Sequence, residues 1–178
     1  MDHAVYLANK FWRMAGSPKP VQALQVLQRM KFRIGRRHGG AAAIIIKPWD
    51  GETLAKLDPP AAAIQVFDNP ARIDCRYVPQ EQEEDNRYIE AFLTGYALLA
   101  MDDKATKVRF EEIPRPGENH DLVHKFARNL LVPGDALKED LMLENGYSTI
   151  ESIAGTFKVS LCTLSDRLKE LKDLSPLH

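Results

Sequence analysis

Apolar residues recur along this chain with two different periods, and the changes between them mark its elements. From His3 to Met14, the residues Val5, Tyr6, Ala8, Phe11, Trp12 and Met14 fall at near-helical spacing until Gly16-Ser17-Pro18 stops the pattern. Pro20 opens a second helical stretch through Val21, Leu24, Val26, Leu27 and Met30. The spacing then shortens. Phe32 to Ile34, Ala42 to Lys47, Ala63 to Phe67 and Ile73 to Val78 read as strands, separated by turns rich in glycine, proline and asparagine.

Arg87 to Met101, RYIEAFLTGYALLAM, returns to helical spacing, with Tyr88, Ala91, Phe92, Gly95, Tyr96, Leu98 and Leu99 on one broad side. Glu81, Glu83, Glu84 and Asp85 lie just upstream, where negative charge suits a helix N-terminus. A charged, proline-punctuated stretch follows, with Val108 to Phe110 as a candidate short strand, and then a further helix through HDLVHKFARNLLVPGDAL. In the tail, Ile150, Ile153, Ala154, Phe157, Val159, Leu164, Leu168 and Leu171 fit two short helices joined at Lys158-Val159-Ser160, the layout of a helix-turn-helix. A helix pair, short strands, a central helix and closing helices make an α+β order.

A chain of 178 residues fits one domain with a small appendage, here residues 1–145 and 146–178. Its apolar fraction of 44% is ample for a core. The net charge of −1 supplies no global field for nucleic acid, so any such partner needs a local patch. The longest apolar run, Ala41 to Ile46, suits a strand and not a membrane span. An acid, histidine, asparagine and lysine interrupt the first residues, which argues against a signal peptide. Cys75 and Cys162 lie in different elements, and the expectation is two reduced thiols in a cytoplasmic protein.

Three stretches carry candidate chemistry. His120-Asp121-Leu122-Val123-His124 puts two histidines one turn apart on a helix face, a zinc-ligand spacing, with Asp121 as a shortened base. It follows Pro114, Pro116, Gly117, Glu118 and Asn119, so the plainer reading is a capped helix with partly exposed histidines. A third ligand would have to come from elsewhere, with Asp102, Asp103, Glu111 and Glu112 suitable by type. The run Arg29, Lys31, Arg33, Arg36, Arg37 and His38 is the densest basic patch, fit for phosphates or an acidic protein surface, or simply a solvated strand and turn.

In the tail, Arg167 and Lys169 are balanced by Asp166 and Glu170, and no asparagine or glutamine is there to read adenine, so packing is expected ahead of base readout. Neither a P-loop ending nor a nucleophile elbow is present, and an enzymatic reading rests on the H-D-x-x-H string alone.

Arg87, Tyr88, Ala91, Phe92, Leu93, Gly95, Tyr96, Leu98 and Leu99 resemble the active-site helix of the ImmA/IrrE zinc metallopeptidases, Arg-aromatic-x-x-Ala-His-Glu-x-Gly-His-x-Leu-Leu. Lys125 to Pro133 is similar to that family's second helix, and in this register the third ligand, a glutamate, falls at Leu122. The resemblance implies a minimal zincin-like core: a three- or four-stranded sheet packed on helices, an edge strand beside the cleft, and a helix-turn-helix-like tail.

It also implies a pseudo-peptidase with no metal or cofactor, because phenylalanine, leucine and tyrosine stand where histidine, glutamate and histidine would be. The expected activity is regulatory binding, as an anti-repressor of a helix-turn-helix regulator from a phage or mobile element. Phe92, Leu93, Tyr96, Leu122, Arg36 and Arg37 are the expected protein-binding residues. A metal-dependent peptidase centred on His120 and His124, and a DNA-binding regulator using the tail and basic run, remain alternatives.

Overall fold

Asp2 begins the first helix by accepting the amide of Ala4 on its side chain at 3.0 Å, an N-cap that satisfies one of the free donors of the first turn. Helix α1 (His3–Met14) buries Ala4, Ala8, Phe11 and Trp12 along one stripe. It stops where Gly16 takes a φ of +87°, a left-handed conformation open to a residue without Cβ. The computed structural model describes residues 2–24, 27, 32–33, 41–48, 62–68, 71–101, 118–143 and 149–174. Ala23, Leu24 and Leu27 are helical, in keeping with the second helical stretch, whose Val26 and Met30 lie outside the described residues.

The strands are β1 (Phe32–Arg33), β2 (Ala41–Pro48), β3 (Ala62–Asp68) and β4 (Ala71–Tyr77), in a sheet of order β1-β2-β4-β3. The β2–β4 pair is parallel, and β4 and β3 pair antiparallel from Asp68 opposite Ala71. Ile46 sits opposite Cys75, and both are buried, as is Tyr77, while Lys47 is exposed. That alternation sets one face of the sheet toward the helices. Burial pushes the Cys75 thiol up to about 12, with Asp74 adding to the effect, so it stays protonated at neutral pH.

Helix α2 (Glu83–Met101) packs on β2 and β4 on one side and on α3 (Glu118–Leu131) on the other, and α1 lies against α3. The central helix starts earlier than its apolar pattern suggests. Glu83, Glu84 and Asp85 form its first turn and do not precede it, which brings their charge onto the helix dipole. The Asn86 side chain accepts the amide of Gln80 at 2.7 Å and donates to its carbonyl at 2.8 Å, fixing the approach from β4.

After α4 (Gly134–Leu143) come α5 (Ile150–Phe157) and α6 (Leu161–Leu174), joined at Lys158 to Ser160 as the sequence predicts. Three arginines tie this pair down. Arg87 donates to the carbonyls of Val21 at 2.6 Å and Lys158 at 3.1 Å, joining the start of α2 to both ends of the chain. Arg167 donates to Val132 at 3.0 Å, and Arg128 on α3 donates to Glu170 on α6 at 2.6 Å. Arg167 is only 2% exposed, so this half of the tail's basic pair is spent on packing and faces no groove.

The architecture is α+β, and among the described residues no helix is long and apolar enough to cross a membrane. The candidate strand at Val108 to Phe110 lies outside the described residues.

Candidate functional site

Residues one turn apart share a helix face. On α2 the row Tyr88, Phe92 and Tyr96 faces α3, and α3 answers with His120, Val123 and His124. The two helices approach closely because Gly95 leaves room for Phe126: a Cβ there would collide with the phenylalanine ring. Phe126 in turn meets Phe11 edge-on, with ring centroids 6.5 Å apart, so the seam is fastened from α1 as well.

Most of this seam is hydrocarbon, and three of its polar side chains meet at one place. Tyr88 Oη lies 2.7 Å from His124 Nδ1, and His124 Nε2 lies 3.1 Å from His120 Nε2. The ring of Phe92 closes the floor, its centroid 4.7 Å from that of His124 and 5.8 Å from that of His120. Burial, the neighbouring His120 and the charge of Arg128 together hold His124 down to about 4, with Asp121 opposing weakly. Tyr88 is pushed up, chiefly by burial, and keeps its proton.

His124 is therefore a neutral ring at neutral pH. The proton order runs one way along the chain of groups: either Tyr88 donates to His124 and His124 to His120, or His120 donates to His124 and His124 to Tyr88.

The positions that the family resemblance marks for zinc ligation hold no ligand. Leu93 and Tyr96 are fully buried, so in this conformation neither offers surface to a partner, and they act as packing. Phe92 and Leu122 are half-buried against Tyr96, Leu99 and Val123. None of these side chains supplies an imidazole or a carboxylate, so zinc of the family kind does not fit here. Arg36 and Arg37 lie outside the described residues, as do Asp102, Asp103, Glu111 and Glu112.

His120 sits in the first turn of α3 and is partly exposed, at 27%, as expected, and it contacts His124 and Phe92. Asp121 is 85% exposed, and its carboxylate is 4.0 Å from His120 Nδ1, the far side of the ring from the paired Nε2 atoms. A base for hydrolysis at those Nε2 atoms would have to point the other way.

Among the described residues, no three or more of histidine, cysteine, aspartate and glutamate come together as a metal cluster. Sequence reasoning placed Tyr88 and Gly95 on the broad side of this helix but gave neither a part in the site. Tyr88 is one turn before Phe92 and so shares its face, and a glycine inside an apolar helix signals close approach of a neighbour. No family model matches the chain, and no curated protein matches it.

Proposed function

We propose that this chain is a catalytically inactive protein of the ImmA/IrrE type, with that family's minimal zincin-like core, and that it binds a helix-turn-helix transcriptional regulator of a phage or mobile element as an anti-repressor. The observation that carries the reading is the packing at the ligand frame of α2. Phe92, Leu93 and Tyr96 stand at the spacing that would carry two ligands and a base, and they fill it with packed aromatic and aliphatic side chains.

The buried Arg167 favours protein contact over DNA contact for the tail.

Operator release tests the reading. A purified helix-turn-helix regulator bound to labelled operator DNA is titrated with the purified chain. Release in proportion to added chain is the expected result, and an unchanged regulator–operator complex at saturating chain overturns it.

A further inference from the structure

The histidine pair on α3 is left over by that reading, and its geometry has a chemistry of its own. Two nitrogens each about 2.0–2.1 Å from a tetrahedral zinc ion sit roughly 3.3–3.4 Å apart. His120 Nε2 and His124 Nε2 are 3.1 Å apart on one helix face, within a few tenths of an ångström of that spacing.

We propose that His120 and His124 form a two-histidine chelate for a divalent transition-metal ion of the zinc class, open to water at its remaining positions. The proposal stands on this geometry and does not depend on the function proposed above. Tyr88 positions the site: when His124 Nε2 takes the metal, its Nδ1 carries the proton and donates to Tyr88 Oη at the 2.7 Å already present. His120 needs only to hold its proton on Nδ1, toward Asp121 and solvent, for its own Nε2 to be free. Arg128, the cation among the groups acting on His124, is compensated by Glu170 at 2.6 Å.

With two protein ligands the ion is held more weakly and exchanges more readily than in a closed four-ligand site. Because Asp121 lies on the far side of His120, the site is one that binds and has no base aimed at a metal-bound water.

The test is calorimetric titration of the full chain with zinc chloride at pH 7.5. It uses a Cys162→Ser background, since Cys162 is an exposed free thiol that could take zinc itself. The expected result is one saturable site per chain, weakened at least tenfold by His120→Gln and by His124→Gln. His120 is partly exposed, so His120→Gln reports on ligation even where His124→Gln disturbs packing. No saturable binding in the background protein, or unchanged affinity in His120→Gln, overturns the proposal.

Discussion

The two sides of the α2–α3 seam use one spacing for opposite purposes. On α2, Phe92 and Tyr96 are one turn apart and contribute aromatic rings to the interface, Tyr96 fully buried and Phe92 half-buried. On α3, His120 and His124 are one turn apart and contribute nitrogen at its half-open margin. Burial explains the difference. An enclosed seam suits aromatic ring faces, whereas an imidazole is tolerated where a second imidazole, a phenol and solvent satisfy it. Spacing alone names a face of a helix; what lies across from that face decides its chemistry.

The carbon side should be the costlier one to damage. Leu93→Ala opens a cavity in a fully enclosed site and is expected to lower stability by about 2–5 kcal/mol, read as a lower midpoint in urea unfolding. A loss under about 1 kcal/mol would mean that this wall is loosely packed and able to open, against the comparison drawn here.

The nitrogen side should show itself through pH. The folded-state pKa of His124, lowered to about 4, lies below its ordinary 6.5, so the unfolded chain binds more protons between those values. Stability from this group is therefore complete above pH 6.5 and is lost as pH falls toward 4. The groups acting on it are His120, Arg128 and Asp121. Solvent screening at a half-buried site reduces the effect to on the order of 1–2 kcal/mol. Comparison of wild type with His124→Gln at pH 7.5 and 4.5 isolates it, and an equal loss in both proteins would show that His124 is freely protonated.

The smallest effect concerns the link between the sides. Tyr88→Phe deletes the hydroxyl paired with His124 and is expected to cost about 0.5–1.5 kcal/mol. A stability equal to wild type would place water, and not Tyr88, on Nδ1.

The strands were legible in the sequence to within a residue or two, because their alternation is short and bounded by strong turn signals around Gly39-Gly40, Pro48 and Asn69-Pro70. The helix-turn-helix layout was legible for a related reason. Lys158, with φ of +50°, ends α5 in a left-handed cap at the point where the apolar pattern breaks. The start of α2 was not legible, since an acidic run reads equally well as a preceding loop or as a first turn.

The burial of Arg167 and the double anchor of Arg87 were hidden for a deeper reason. Counting charges along a helix does not reveal which of them meet carbonyls from distant segments. The same holds for the site. The sequence shows His120 and His124 on one face, but only the packing of α3 on α2 brings Tyr88 and Phe92 to them.

The most direct test of the account asks whether the chain binds its regulator without cutting it. The purified chain and a purified helix-turn-helix regulator are incubated with zinc chloride, and the complex and the intact mass of the regulator are read together. The account predicts a stoichiometric complex in which the regulator keeps its full mass, with zinc or with a chelator. Zinc-dependent cleavage that disappears in His124→Gln would contradict it, and would make the histidine side of the seam a catalytic centre.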